Sequence, residues 1–309
     1  MIVVRLEGGL GNQLFQYAYG MQLAQRHRSE LVLDLSSYTK RPKHGYMLDR
    51  FCVSARALQS YERKRLPLRD QGMSPPGRHV AWWQRAMGLN WRDDALTRIR
   101  ERPFGFSAKY LRAPDDSYLV GYWQSEKFFP DVQSHVREQF CPRDPLSAQS
   151  LRIHDRMLTT TSIALHVRRG DYVTDRAAAS IYRHLSVDYY RDSVLALLER
   201  YPGAEAYVFS NDMAWCREVL SLPCPTHFVD HTSGSLAHED LWMMTAAQCL
   251  VIANSTFSWW GAWLGTRDGK HVMAPQHWFQ PRTLSERSLL CGDWELRTDS
   301  RSTRLLAAA

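Results

Sequence analysis

Four polar side chains crowd the end of one apolar run. The segment Thr161-Ser-Ile-Ala-Leu-His-Val-Arg-Arg-Gly-Asp171 reads as a strand covered on both faces through Ile163, Ala164, Leu165 and Val167. His166, Arg168, Arg169 and Asp171 sit at its exit. In open α/β sheets ligands bind just beyond the carboxyl ends of the strands. Two guanidinium groups there suit phosphate, because each offers a planar fork of donors and keeps its charge at any working pH. Gly170 lets the backbone turn tightly after them. The bland alternative is a pair of solvated loop arginines beside a core histidine.

Two further strand exits carry polar groups. Ala206-Tyr-Val-Phe209 runs into Ser210-Asn211-Asp212, and Leu250-Val-Ile-Ala253 runs into Asn254-Ser-Thr-Phe-Ser258. The second cluster opens a helix, where hydroxyls and bare N–H groups bind phosphate, although a lone cluster of this kind is also an ordinary N-cap. All three exits should lie side by side along one sheet edge, and cationic, amide and hydroxyl groups converging there describe a nucleotide pocket.

The elements that would position these groups follow in order. Ser186 caps a helix closed by Pro202-Gly203, His227-Phe-Val-Asp230 is a short strand, and a helix over 236–249 carries Glu239 and Asp240 near its start. This alternation predicts a parallel sheet with helices on both faces.

Residues 1–35 read as a β-α-β unit. Ile2, Val4 and Leu6 alternate with Val3, Arg5 and Glu7, Gly8-Gly-Leu-Gly11 makes a turn, and Asn12 is placed to cap the helix that follows. Gly9, Gly11 and Asp34 invite an NAD-dependent oxidoreductase reading, but Leu14 occupies the third glycine position of that fingerprint. What survives is a glycine turn that opens a helix and presents N–H groups to an anion. Between residues 36 and 150, Lys40-Arg-Pro-Lys43 and Pro75-Pro-Gly77 mark loops. Trp82, Trp83, Trp91, Phe104 and Phe106 serve as core or groove wall, Tyr118-Leu-Val-Gly-Tyr-Trp123 is a strand, and Arg143-Asp-Pro145 is a linker.

The 309 residues are 44% hydrophobic, enough to bury two cores. Six cysteines without a C-x-x-C pair or zinc spacing fit a reduced, cytosolic compartment. Met1 to Val4 run straight into Arg5 and Glu7, so no signal peptide is expected, and no stretch is long and apolar enough to span a membrane. Residues 1–150 hold 23 Lys and Arg against 15 Asp and Glu, a net +8, whereas the remainder is near neutral. No aromatic-basic repeat of a nucleic-acid module accompanies this charge.

Three blocks then resemble a known family. Gly8-Gly-Leu-Gly-Asn-Gln-Leu-Phe-Gln-Tyr17, His166-Val-Arg-Arg-Gly-Asp171 and Ile252-Ala-Asn-Ser-Thr-Phe-Ser-Trp-Trp-Gly261 look like the signatures of α-1,2-fucosyltransferases, glycosyltransferase family 11, of the bacterial type. The resemblance implies a GT-B-like α/β fold of two Rossmann-type domains facing across a cleft. The division would fall as residues 1–148 on the acceptor side and 149–309 on the GDP-fucose side. It implies inverting transfer of L-fucose from GDP-fucose to the 2-hydroxyl of a terminal β-galactoside, without a metal or other cofactor. The chain has no Asp-x-Asp pair of the kind that holds a divalent ion in metal-dependent relatives.

By the same resemblance Arg168 would meet the β-phosphate with His166 nearby, Ser255 and Thr256 would contact the phosphates, and Asp240 would read guanine, with Glu239 as the alternative. Gly9, Gly11 and Asn12 would approach the diphosphate or fucose. Inversion needs a base, for which Asp171, Asp175 and Glu7 are candidates. Bacterial relatives decorate O-antigen and related surface glycans, so a lipid-linked acceptor would bring the basic first half to an anionic inner-membrane face. A non-catalytic GDP-sugar binder is the remaining alternative.

Overall fold

The computed structural model describes residues 1–39, 44–66, 68–70, 95–170, 175–232, 234–281 and 284–299. The loops at Lys40-Arg-Pro-Lys43 and Pro75-Pro-Gly77, Trp82, Trp83 and Trp91, and Asp171 lie outside the described residues.

The chain divides into two compact units. The first is Met1–Gly8, Asn12–Tyr46 and Ser54–Val136; the second is Gly9–Gly11, Met47–Val53 and the chain from Arg137 on. The division thus comes at Val136/Arg137, ahead of both residue 148 and the Arg143-Asp-Pro145 linker. Arg137 explains the shift: its guanidinium donates to the Leu264 carbonyl at 3.0 Å and stacks 3.9 Å above the Trp263 ring. Phe51 likewise belongs to the second unit, bridging Pro142 and packing on Phe140.

In the first unit six parallel strands run in the order β3-β2-β1-β6-β5-β4. They are β1 (Ile2–Arg5), β2 (Leu31–Asp34), β3 (Arg56–Ala57), β4 (Leu68–Asp70), β5 (Leu96–Arg100) and β6 (Ser117–Val120). Helices α1 (Leu10–His27) and α2 (Ser60–Arg65) connect the early strands, and α3 (Gln133–Gln139) leads out. Ile2, Val3 and Val4 are all fully buried, so the alternation with Val3 does not mark a water-facing side; β1 sits mid-sheet with both faces covered. The strand expected over 118–123 ends at Val120, because Gly121 to Trp123 turn away and Glu101 accepts the Tyr122 and Trp123 amides at 2.7 and 3.0 Å.

The second unit also has a six-stranded parallel sheet, ordered β12-β11-β10-β7-β8-β9. Its elements are α4 (Ala148–Thr159), β7 (Ser162–Val167), α5 (Arg176–Ile181), α6 (Val187–Arg200), β8 (Glu205–Ser210), α7 (Met213–Val219) and β9 (Thr226–Phe228). Then come α8 (Ala237–Thr245), β10 (Cys249–Val251), α9 (Thr256–Leu264), β11 (His271–Pro275) and β12 (Glu295–Arg297). Every β7 residue is buried. Ser186 caps α6 by accepting from the Tyr189 amide, as its position suggested. The helix expected over 236–249 is shorter, since β10 already begins at Cys249.

Candidate active site

β10, β7 and β8 are hydrogen-bonded neighbours, with Leu165 opposite both Val251 and Val208. Their carboxyl ends therefore run out side by side, and the exits at 166–170, 210–212 and 254–258 share one edge, as expected.

The two arginines play different parts. Arg169 is clamped: its Nε lies 3.2 Å from Asp212 Oδ2, its Nη1 is 3.2 Å from His184 Nε2, and its guanidinium sits 4.4 Å above the Trp215 ring. Burial and the Arg169 charge hold His184 below the usual imidazole range, which keeps that nitrogen an acceptor. The Arg169 and Gly170 amides both donate to Asn211 Oδ1, at 3.0 and 3.3 Å. The exit of β8 thus fastens the exit of β7, and Asp212 pairs with Arg169. Sequence reasoning placed Asp212 at an exit but missed this partnership; Trp215, one helical turn after Asp212, was the available signal.

Arg168 is half-buried at the strand end. His166 beside it is 3% exposed, and burial, with the Arg168 charge adding, drives its pKa down to about 3. The imidazole is therefore neutral. Its ring packs 5.3 Å from Phe257, and its buried Nδ1 has no hydrogen-bond partner among the described residues. Such a nitrogen is costly to leave unpaired, which suits a position completed by a ligand.

Ser255 caps α9, accepting from the Phe257 amide at 3.3 Å. The glycine turn packs against this helix start. Trp260 Nε1 donates to the Gly11 carbonyl at 3.0 Å, and a Cβ on residue 11 would stand 2.5 Å from the Thr256 carbonyl carbon. Only glycine fits there. Gly9 and Gly11 therefore join Ser255 and Thr256 in the second unit, whereas Asn12 falls in the first. Asn12 is no cap, since α1 already starts at Leu10; its side-chain oxygen accepts from Gln124 Nε2 at 2.9 Å. Asn254 fastens two loops, donating to the Arg183 and Trp278 carbonyls at 2.7 and 2.9 Å.

The two acidic residues of α8 also separate. Burial opposes the Glu239 charge, but hydrogen bonds from Ser147 and Ser150 outweigh it and keep the carboxyl below its ordinary range. Both its oxygens are used, by the Ser147 amide at 3.2 Å and hydroxyl at 2.7 Å, so Glu239 staples α8 to the start of α4. Asp240 is different. Burial pushes it up to about 7 against a 2.5 Å hydrogen bond from Thr232, and the neighbouring Glu239 charge adds to the rise.

Among the base candidates, Glu7 lies in the first unit, 3.5 Å from Arg5, and Asp175 starts the turn into α5, its carbonyl accepting from Ala179. Asp34, which an NAD site would need for the ribose, is 1% exposed. It accepts from the Tyr118 hydroxyl at 2.5 Å and the Ser36 amide at 2.9 Å. It has little capacity left for a sugar. Among the described residues no group of three His, Cys, Asp or Glu could hold a metal ion, and no helix is long and apolar enough to cross a membrane.

The model of Glycosyl transferase family 11 matches residues 1–295. The chain belongs to glycosyltransferase family 11. It is 32% identical over 291 residues to an alpha-1,2-colitosyltransferase of Escherichia coli, covering 92% of this chain and 94% of that protein. It is 28% identical over 300 residues to the O-antigen biosynthesis glycosyltransferase WbnK of Escherichia coli, covering 91% and 96%. Mouse galactoside 2-alpha-L-fucosyltransferase Sec1 is 24% identical, with 85% of this chain and 64% of that protein covered. The fold is similar to an Arabidopsis thaliana FUT1 variant in complex with GDP, at TM-score 0.51 and 13% identity over 88% of this chain and 69% of that one. POFUT1 in complex with GDP gives TM-score 0.50 at 12% identity, over 88% and 97%. This family-11 glycosyltransferase is α/β and GT-B-like, built of two Rossmann-type units.

Proposed function

We propose that this family-11 enzyme transfers L-fucose from GDP-fucose to the 2-hydroxyl of a terminal β-galactoside, with inversion and without a metal. The observation that carries the reading is the convergence of Arg168, His166 and the Ser255-Thr256 helix start on one sheet edge beside the Gly9–Gly11 turn. As the sugar–phosphate bond lengthens, negative charge grows on the diphosphate. A preorganised guanidinium then stabilises the transition state more than the ground state. Arg168 is that cation. The neutral His166 adds a hydrogen bond without a second charge, and the α9 N-terminus contributes amide dipoles.

Asp240 reads guanine, whose N1–H and N2–H₂ form two donors that one carboxylate accepts together; the engagement of both Glu239 oxygens by Ser147 supports Asp240 over Glu239. The base that accepts the galactose hydroxyl proton is one of Asp171, Asp175 and Glu7. The acceptor is a surface glycan carried on lipid, and the +8 of residues 1–150 draws the enzyme to anionic membrane. Binding to phosphatidylglycerol vesicles that weakens with salt is the expected outcome.

The colitosyltransferase likeness favours one second reading, GDP-colitose as donor. Colitose lacks the 3-hydroxyl of fucose. A site built to hydrogen-bond that hydroxyl rejects its absence by roughly 10⁴–10⁵. Competition between the two donors on a β-galactoside, read by mass spectrometry, decides: a kcat/KM ratio favouring GDP-colitose overturns the fucose assignment. Binding of GDP-sugar with no transfer would leave a binder only.

A further inference from the structure

The first unit carries a cavity of about 740 Å³ that the chemistry above leaves unused. Its base is apolar core, where Val3, Val32, Leu96 and Tyr118 are buried together. Two residues further along the strands the side chains turn polar. Arg5, Asp34, Arg98 and Arg100 line the cavity, with Arg63 and Lys64 from α2. Among the described residues, five cationic side chains thus share a concavity with one carboxylate.

That carboxylate is already engaged. Asp34 accepts from Tyr118 and Ser36, as described, and lies 3.4 Å from Arg63 Nε. Arg5 is shared between Ser37 Oγ at 3.2 Å and Glu7 at 3.5 Å. Lys64 and Arg100 are exposed, and their side chains have no hydrogen-bond or ion-pair partner among the described residues. Like charges gathered in one concavity raise the local potential and draw a counter-anion. Arginine forks match the oxygens of phosphate. The volume suits a small molecule, and Leu35, Leu58, Leu66 and Val120 offer it an apolar wall.

We propose that this cavity of the first unit binds a phosphate-bearing small molecule, with Lys64, Arg98 and Arg100 as its charge contacts. The site does not depend on the donor chemistry assigned to the second unit. Free diphosphate and the phosphate of a glycosyl phosphate share the required chemistry.

The test is calorimetric titration of inorganic pyrophosphate into an Arg168→Ala chain, which removes the diphosphate contact proposed in the second unit. Saturable binding is expected. Adding Lys64→Gln and Arg100→Gln should weaken it at least tenfold with an unchanged melting temperature, both side chains being exposed. Each substitution made alone should also weaken it, which guards against a fold defect in the pair. Galactose 1-phosphate that displaces pyrophosphate assigns the site to a sugar phosphate; failure to displace it assigns the site to the diphosphate itself. Equal pyrophosphate affinity with and without the two substitutions, or no binding in the Arg168→Ala chain, overturns the proposal.

Discussion

At the carboxyl edge of the second sheet, Arg169, Asn254 and Ser255 are each held by named neighbours, and one guanidinium, Arg168, stands at the strand end beside a neutral histidine. At the carboxyl edge of the first sheet, the described residues place five cations around one carboxylate that is already hydrogen-bonded. Both edges present cations, and the two roles proposed for them ask for different physical arrangements. A group that lowers a barrier has to be fixed in advance, because only then is no reorganisation needed as charge develops. A group that only holds a substrate can rely on several mobile charges of modest individual worth.

The largest effect should come from the fixed edge. Arg168→Ala is expected to lower kcat by roughly 10²–10³, as for other removed oxyanion donors, in a protein that still melts cooperatively. Retention of near wild-type kcat would remove the contrast altogether. Chelator should leave turnover unchanged, in keeping with a cation supplied by the chain.

Next comes Gly11→Ala. Its Cβ would meet backbone atoms of Thr256 and Phe257 at 2.5 and 2.6 Å, which no side-chain rotation relieves. Overpacking of this kind costs about 1–3 kcal/mol, so a lower melting temperature and weaker GDP binding are expected together. A variant of native stability and affinity would mean that the turn and α9 are not in register.

Asp240 sharpens the comparison through pH. Its folded pKa of about 7 exceeds the ordinary carboxylate value, so between about pH 4 and 7 the folded chain holds a proton that the unfolded chain has lost. Its contribution to stability therefore falls as pH rises through that window. Guanine recognition needs the ionised form, so GDP affinity should rise towards pH 7 and level off above it. Asp240→Asn should abolish this pH dependence; a profile identical to wild type would take Asp240 out of the base pocket. The smallest effect belongs to the other edge: Lys64→Gln with Arg100→Gln should leave GDP affinity within twofold, measured by the same titration.

Much of the second unit was legible in its sequence. β7, β8 and β10 are continuous apolar runs that exit into polar residues, and doubly covered parallel strands require that pattern. The first unit was harder. β3 has two residues and β4 three, too short for any period to show. β5, Leu96-Thr-Arg-Ile-Arg100, carries charges that face the cavity and mask its strand character. The pairing of Asp212 with Arg169 was hidden for another reason, since an aspartate that begins a helix looks like an N-cap, and Asp212 is one.

Residue types and local spacing by themselves determined the three adjacent strand exits and the cations they carry, while the family was legible only through the resemblance of three motif blocks. Those features depend on side-chain class and on neighbours a few positions away, which periodicity records. What holds Arg169, which of two adjacent acids is stapled and where the units divide were decided only by the tertiary structure. The ion pair of Arg169 with Asp212, the hydrogen bonds of Glu239 to Ser147 and the stacking of Arg137 on Trp263 join segments far apart along the chain. Pairing of that kind is set by sheet order and packing, and leaves no local trace.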